Sequence, residues 1–281
     1  MSVKYLVVID FEATCGTKSS EKQPEIIEFP ALVLNTETLV IEHKFHSYAK
    51  PTHQPVLDDF CINLTGIQQK TIDESENFDI VLQKFYSWLE SISFINSSKE
   101  KTQDWIFLTV SDNDLKILIT SQLICSQITQ REEIFNQWID LQKIFCWHYG
   151  YEKRKRLMHM LEYLEIRSEG SLHSGLDDSK NTAKIVVKMI LDGAIFSKDD
   201  STDWKPTKQW KKWDLLNKKL QKEQEELLKE KKNHNNEKFF WDTSKTIYQQ
   251  NSDFQKHLSK IGKSTTQKDY FDDSDDDMFF I

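Results

Sequence analysis

The stretch Lys4–Cys15, KYLVVIDFEATC, constrains the fold of this chain more than any other segment. Its run of apolar residues is typical of a central strand that is buried on both faces. The strand ends in Asp10 and Glu12, and side chains two positions apart point to the same face of a strand. Two adjacent carboxylates repel each other and are costly to bury unless a cation bridges them. The stretch therefore predicts either a site for hard cations such as Mg²⁺ or Mn²⁺, or a solvated strand end.

The overall composition limits what the rest of the chain can do. Only 38% of the 281 residues are hydrophobic, which indicates that part of the chain lies outside a packed core. The formal net charge of −8 argues against a strongly basic nucleic-acid-coating protein but is compatible with a locally basic cleft. We expect neither a signal peptide nor a membrane span, because no apolar run is long enough. The four cysteines have neither zinc nor disulfide spacing, so we expect reduced thiols and a cytoplasmic or nuclear protein.

Apolar periodicity predicts a mixed α/β domain over residues 1–196. Five strands are predicted, namely the opening stretch, Glu25–Leu34, Leu39–Tyr48, Trp105–Val110 and Trp138–Leu141. Helices are predicted over Asp79–Ile92, Asp114–Ile128, a segment ending near Tyr149, Arg156–Leu164 and Asp177–Leu191. Three consecutive strands followed by alternating helices and strands indicate a mixed five-stranded sheet flanked by helices.

The character of the sequence changes after residue 196. Residues 197–232 are rich in charged residues and tryptophan, and leucines at heptad-like spacing predict an amphipathic helix. The stretch Trp204–Trp213 is suited either to binding single-stranded RNA or to docking on the domain or a partner. Residues 233–281 are polar and end in an acidic run, so we expect a disordered tail. This C-terminal tail is a candidate docking segment for protein partners.

Further candidate site residues follow later elements. Asp114 comes after the predicted strand Trp105–Val110, and α/β proteins collect ligands at the carboxyl ends of strands. In the segment LHSGLDDSKN, His173 precedes Asp178 by five residues at the start of a predicted helix. Each residue alone has an ordinary interpretation, His173 as a surface or satisfied histidine and the neighbouring Asp177 as the N-cap of the helix that it opens. Together with the carboxylate pair that ends the first strand, they favour a metal site.

These motifs resemble those of the DEDDh 3′→5′ exonucleases. Asp10 with Glu12, Asp114, and His173 with Asp178 match the three motifs of that superfamily. The segments DFEATC, EIIEFP, DFCINLTGI and HSGLDDSKN are similar to the exoribonuclease branch that includes the histone-mRNA 3′-end exonuclease and the enhancer-of-RNAi enzymes. The resemblance covers roughly residues 1–196. It implies an RNase-H-like fold and hydrolysis of RNA from its 3′ end to nucleoside 5′-monophosphates, in the processing or turnover of small RNA, rRNA or mRNA 3′ ends.

The resemblance also implies roles for the site residues. The four carboxylates would bind two Mg²⁺ ions, which Mn²⁺ can replace. His173 would act as the general base towards the attacking water. By the alignment with the family motifs, the metal ligands are Asp178 rather than Asp177, and Asp114 rather than Asp112.

Six further residues are predicted to contact the single-stranded 3′ end of RNA: Phe11, Ala13, Thr14, Asn113, Lys153 and Arg154. The family branch has tryptophan where this chain has Asn113, so we expect the last base to bind more weakly or on another ring, such as Phe11. The basic run Lys153–Arg156 has three open interpretations, namely contacts with RNA phosphates, an import signal, or a solvated loop. We expect no N-terminal RNA-binding module, and hence no specificity for histone mRNA.

Two alternatives to an exoribonuclease stay open at the level of sequence. One is an exonuclease that acts on DNA or on both polymers, because recognition of the 2′-hydroxyl leaves no motif in the sequence. The other is a catalytically silent RNA-binding protein. The presence of all five site residues argues against that second alternative.

Overall fold

The computed structural model describes residues 2–16 and 23–233. In chain order, the strands and α-helices are β1 (Tyr5–Ile9), β2 (Glu12–Ala13), β3 (Ile26–Asn35), β4 (Ile41–Lys50), α1 (Asp59–Thr65), α2 (Gln69–Asp73), β5 (Glu76–Asn77), α3 (Phe78–Ser91), β6 (Trp105–Thr109), α4 (Ile119–Cys125), β7 (Gln137–Asp140), α5 (Leu141–Tyr149), α6 (Leu157–Tyr163), α7 (Gly175–Leu191), β8 (Thr202–Asp203) and α8 (Lys208–Asn233). The predicted disordered tail lies outside the described residues, apart from the last residue of α8.

The strands form one mixed sheet in the order β5-β4-β3-β1-β6-β7-β8, and β2 pairs with β3. The central strand β1 is antiparallel to β3 and parallel to β6, and β6 is parallel to β7. The longer strands β1, β3, β4, β6 and β7 are the five that the sequence predicts, which confirms the mixed sheet flanked by helices. The parallel run places the carboxyl ends of β1, β6 and β7 at one edge, where ligands collect in α/β proteins.

Both faces of the central strands are buried, as their continuous apolar sequences require. On one face, Leu6 and Val8 of β1 pack with residues of α5, α6 and α7. On the other face lies an aromatic cluster. The ring of Phe85, on α3, lies 4.6 Å from that of Phe29 on β3 and 6.3 Å from that of Phe107 on β6, measured between centroids. These two layers fix the position of the β1 end from both sides.

The segment that follows β6 differs from its prediction. The predicted helix Asp114–Ile128 begins as a π-helical turn over Asp114–Leu118, a rare conformation that is frequent at functional sites. The buried guanidinium group of Arg131 anchors this turn by donating to the carbonyl groups of Leu115 and Phe135, at 2.7 and 2.6 Å. Asp114 is therefore the first residue of a widened turn in which the carbonyl group of Leu115 is held by a buried cation.

Two short helices were not predicted, and one helix begins earlier than predicted. The helices α1 and α2 have seven and five residues, too few to show helical periodicity in the sequence. Helix α7 begins at Gly175 instead of Asp177, which places Asp178 inside its first turn. None of the helices among residues 2–16 and 23–233 is long and apolar enough to cross a membrane.

The described residues divide into two compact units, one with residues 2–16, 23–125 and 130–205 and the other with residues 126–129 and 206–233. The first unit contains the sheet and extends past residue 196, because β8 pairs with β7. In the second unit, α8 occupies much of the segment predicted to be a charged helix.

The anchoring of the π-helical turn predicts a stability defect. Replacing Arg131 with lysine should lower the free energy of unfolding by about 2–3 kcal/mol, because an ammonium group cannot reproduce the planar fork and leaves buried carbonyl groups without a donor. Urea denaturation would measure the loss. The exposed Arg167→Lys variant is the control, and an equal, small effect in both variants would contradict the anchoring role.

Candidate active site

Four carboxylates and one histidine meet at the sheet edge where β1 and β6 end. Asp10 follows β1, Glu12 begins β2, Asp114 opens the π-helical turn and Asp178 lies in the first turn of α7. A ring nitrogen of His173 and carboxylate oxygens of Glu12 and Asp178 all lie within 4.8 Å of one another. The negative charges of Asp114, Glu12 and Asp178 raise the pKa of Asp10, so Asp10 belongs to the same cluster. The fold thus brings together all five residues that the motifs single out.

Backbone amides hold two of the carboxylates in place. The N–H of Phe11 donates to Asp114 Oδ1 at 2.8 Å, which ties the π-helical turn to the end of β1. The N–H of His173 donates to Asp178 Oδ2 at 2.9 Å. The other oxygen of Asp178, Oδ1, is buried without a hydrogen-bond partner among the described residues. A buried carboxylate oxygen that lacks a donor is suited to a cation.

Burial and mutual repulsion make this cluster reluctant to ionise. Burial, followed by the charges of neighbouring carboxylates, raises the pKa of Glu12 to about 9 and raises that of Asp10 well above its ordinary value. Burial raises the pKa of Asp114 to about 7 and also raises that of Asp178. Hard oxygen ligands under such repulsion fit a divalent cation, since its charge would favour the ionised form of each carboxylate.

The two neighbouring aspartates make other contacts. Asp112 Oδ1 accepts a hydrogen bond from the indole N–H of Trp138 at 3.1 Å. Asp177 accepts from the N–H of Ser171 at 3.0 Å and pairs with Lys180 at 2.7 Å, so it ties the preceding loop to α7 instead of capping the helix. Both neighbours are engaged in contacts that hold the fold.

The loop before α7 fixes the backbone of His173. This histidine is exposed and has a φ of 60°, a left-handed conformation that costs energy in residues other than glycine. Asn181, one helical turn after Asp178, is fully buried. Its amide exchanges two hydrogen bonds with the backbone of Glu169, at 2.9 and 3.0 Å. Asn181 therefore holds the loop, and its amide also opposes the rise in the pKa of Asp178 that burial causes.

Glycine at position 175 allows α7 to approach β1. A Cβ atom built on Gly175 would lie 2.4 Å from the carbonyl oxygen of Asp10, far closer than atoms can pack. Any side chain at this position would push the start of α7 away from the strand end. The closeness of Asp178 to Asp10 therefore depends on this glycine.

Among the predicted substrate contacts near β2, two are engaged in the fold. Phe11 is buried and packs edge-on against Phe29 at 4.7 Å between ring centroids, so its ring is not accessible as a platform for a base. Thr14 is also buried, and its hydroxyl group accepts a hydrogen bond from the N–H of Glu25 at 3.0 Å. Ala13 is half-buried and Asn113 is exposed.

The basic loop after α5 returns to the same sheet edge. Arg154 pairs at 2.9 Å with the buried carboxylate of Asp140, which is the last residue of β7. Lys153 is exposed. The loop is therefore near the ends of the parallel strands, where it could contact RNA, while the interpretation as an import signal stays a prediction.

Two residues beside the site were missed by sequence reasoning. Glu28 on β3 is 1% exposed and adds its negative charge to those acting on Glu12. Phe60 on α1 is 46% exposed and precedes Cys61, whose Sγ lies 3.7 Å from the carbonyl oxygen of Ala13. Both missed residues lie in segments of the resemblance, EIIEFP and DFCINLTGI, which is the signal that could have indicated them.

Comparisons with known proteins find similar chains over most of the described residues. An exonuclease family model of the RNase T type matches residues 7–186. ERI1 exoribonuclease 2 of Xenopus laevis is 38% identical over 210 residues, which cover 71% of this chain and 30% of that protein. The 3′-5′ exonuclease Snipper of Drosophila melanogaster is 36% identical over 204 residues, covering 69% of this chain and 72% of that protein. The chain thus spans about a third of the first relative and most of the second.

A solved structure shares the fold. The nuclease domain of 3′hExo, described as a DEDDh family member bound to rAMP, superposes with a TM-score of 0.64 at 36% identity. The superposition covers 69% of this chain and 96% of that domain.

The raised pKa values predict how the stability of the metal-free protein depends on pH. Glutamate in the unfolded chain titrates near 4.5, whereas Glu12 in the folded protein has a pKa of about 9. The folded state keeps a proton that the unfolded state has lost, so stability should fall as the pH rises between these values. With EDTA present, the thermal midpoint should decrease from about pH 6 to pH 9, and Glu12→Gln should reduce that decrease. A midpoint that rises with pH over this range would contradict the assignment.

Proposed function

This chain belongs to the DEDDh 3′→5′ exonuclease family, and from that membership we propose that it is a metal-dependent 3′→5′ exoribonuclease. The RNase-H-like fold and the exoribonuclease branch expected from the sequence are confirmed by these matches. In our proposal the protein removes nucleoside 5′-monophosphates from single-stranded RNA 3′ ends. The observation that carries it is the convergence of four carboxylates with His173 at one sheet edge.

The carboxylates Asp10, Glu12, Asp114 and Asp178 would hold two divalent ions, Mg²⁺ or Mn²⁺. Three features support this assignment. Ionised carboxylate oxygens only accept hydrogen bonds, the carboxylates around Asp10 repel one another, and Asp178 Oδ1 is buried without a donor among residues 2–16 and 23–233. When bound, such ions lower the pKa of a water molecule and offset charge on the reacting phosphate. The backbone amides of Phe11 and His173 keep the Asp114 and Asp178 carboxylates oriented before any ion binds.

His173 is the proposed general base, which takes the proton of the attacking water on a ring nitrogen. Support comes from the distance of less than 4.8 Å between that nitrogen and oxygens of Glu12 and Asp178. Because the side chain is exposed, the ring can pass the proton on to solvent. The hydrogen bond from the backbone N–H of His173 to Asp178 links the proposed base to a proposed ligand.

RNA is the proposed polymer. Relatives with the name exoribonuclease and the bound rAMP of the 3′hExo domain support RNA. Turnover or 3′-end processing of small RNA, rRNA or mRNA is the biological setting that we infer, in the cytoplasm or nucleus. DNA is the competing substrate, because neither the motifs nor the carboxylate cluster distinguishes the two sugars.

Phe60 is the ring that we propose as the platform for the terminal base. It replaces Phe11 in this role, because Phe11 is buried whereas Phe60 is exposed on the helix beside Ala13. Asn113 and Lys153 are exposed and would add contacts to the base edge and to a phosphate.

The platform proposal predicts a binding defect. Phe60→Ala should weaken single-stranded RNA binding by about five- to 150-fold, the effect of losing one stacked base. Fluorescence anisotropy in the inactive Asp10→Asn background would measure affinity without hydrolysis. Phe60→Trp should retain binding, and Val56→Ala, on an exposed loop residue, is the control. Unchanged affinity in Phe60→Ala would mean that another group holds the base.

The catalytic proposal predicts which changes abolish hydrolysis. The protein should shorten 5′-labelled RNA from its 3′ end with Mg²⁺ and not with EDTA. Asp10→Asn should abolish this activity because it removes a ligand charge, while RNA binding persists. His173→Ala should lower the single-turnover rate by about 10²- to 10⁴-fold, the usual contribution of a positioned general base.

A matched DNA oligonucleotide distinguishes the two polymers in the same assay. Equal or faster cleavage of DNA would overturn the RNA assignment. Near-normal activity in Asp10→Asn or in His173→Ala would overturn the assigned chemistry.

A further inference from the structure

We propose that Glu28, which lies outside the predicted ligand set, is a positioning residue for hydrolysis. It holds the first turn of α7 and thereby sets Asp178 against Asp10. The inference rests on the proposed function, since it concerns the same site. It also makes a claim about metal binding that can be tested without turnover.

Glu28 joins three elements through one buried side chain. It lies on β3 opposite Glu12 in the strand register and is 1% exposed. Its Oε2 accepts from the N–H of Gly175 at 2.9 Å, and its Oε1 accepts from the N–H of Leu176 at 3.2 Å. The ring nitrogen Nε2 of His46, on β4, lies 2.8 Å from Oε1. The carboxylate is thus fixed between the sheet and the helix.

These contacts supply a cap that α7 lacks locally. The first amides of a helix have no partner within the helix, and the residue before it usually provides one. Ser174 occupies that position here, and its side chain makes no capping hydrogen bond. Glu28 takes over this task from a strand, and its negative charge also faces the positive end of the helix dipole.

The cap controls the geometry of the site because Asp178 lies in the same turn. The N–H of Asp178 donates to the carbonyl of Ser174 at 2.8 Å, so the carboxylate moves with the start of the helix. From the other side, Gly175 would clash with Asp10 if it carried a side chain. Glu28 binds the start of α7 to β3, and the lack of a side chain at Gly175 allows α7 to lie close to Asp10. Together they define the distance between two proposed ligands.

The hydrogen bonds of Glu28 also indicate that it is not itself a metal ligand. Its two oxygens face three partners, Gly175, Leu176 and His46. Asp178, in contrast, keeps a buried oxygen that has no hydrogen-bond partner in the part of the chain that the structure describes. Glu28 therefore acts through the helix, and its contribution to a bound metal is indirect.

The chain offers a matched control for the loss of a buried glutamate. Glu25, which precedes β3, is also fully buried, and its carboxylate accepts from the N–H groups of Thr52, His53 and Gln54 at 2.7 to 2.9 Å. It holds a loop rather than α7. Glu25→Gln therefore weakens comparable hydrogen bonds but leaves the contacts between Glu28 and α7 intact.

The test compares Glu28→Ala, Glu28→Gln and Glu25→Gln in the full chain. Each variant is measured for its thermal midpoint in EDTA, its affinity for Mn²⁺ by calorimetry, and its single-turnover rate and KM on RNA. Glu28→Ala should lower the rate at saturating RNA by about 10- to 100-fold, the effect of a misplacement of about 1 Å. Its KM for RNA should stay within about threefold of the wild type, because ground-state contacts are not removed.

Glu28→Gln retains an acceptor for one amide, so it should recover part of the rate and of the Mn²⁺ affinity. Glu25→Gln should lower the midpoint but leave the rate and the Mn²⁺ affinity within about twofold of the wild type, since its contacts lie in another loop. If Glu28→Ala does not fold, the comparison of the two glutamine variants decides.

Two results would overturn the inference. One is a folded Glu28→Ala protein with wild-type rate and Mn²⁺ affinity, and the other is an equal loss of both in Glu25→Gln. A wild-type protein that does not hydrolyse RNA would overturn the proposed function instead. The Mn²⁺ affinities of the variants would still test Glu28 in that case.

Discussion

The structure depends on a concentration of negative charge at the carboxyl end of β1. Burial raises the pKa values of Asp10, Glu12, Asp114 and Asp178, and repulsion by the other carboxylates raises those of Asp10 and Glu12 further. Such an arrangement lowers the stability of the protein without a cation, and natural proteins retain such costs mainly at functional sites. The surrounding elements are arranged so that the charges stay close despite their repulsion.

Backbone amides provide much of that restraint. Phe11 donates to Asp114, His173 donates to Asp178, and the first turn of α7 donates to Glu28. A backbone amide has less freedom to rotate than a side chain, so each carboxylate oxygen that these amides contact is held by the main chain. The aromatic layer under β1 and the buried Arg131 behind the π-helical turn make this frame rigid. Rigid placement of charged groups before substrate binding is a main source of enzymatic rate enhancement.

Local patterns in the sequence predicted much of this arrangement, and contacts between distant segments account for what they missed. The apolar run of β1 with Asp10 and Glu12, and the helical periodicity of α7 with Asp178, are visible within short windows, so the strands and the motif residues could be predicted. The contact of Glu28 with α7 could not be predicted, because its partner Gly175 is 147 residues away and only the folded sheet brings them together. The same reason applies to Phe11, because no local pattern reveals that its buried ring packs against Phe29. The π-helical turn was read as an ordinary helix, because its Arg131 anchor lies beyond the segment.

The central claim is that the fold assembles a cluster of carboxylates that a divalent cation completes. Calorimetric titration of Mn²⁺ into the metal-free protein at about pH 7, repeated in buffers of different ionisation enthalpy, tests it most directly, because ligands must lose protons when a metal binds. We predict saturable binding with net release of protons, since Glu12 holds a proton at that pH with its pKa of about 9. Both the binding and the proton release should be lost in Asp178→Asn. Binding without proton release, or binding that Asp178→Asn leaves unchanged, would contradict the account.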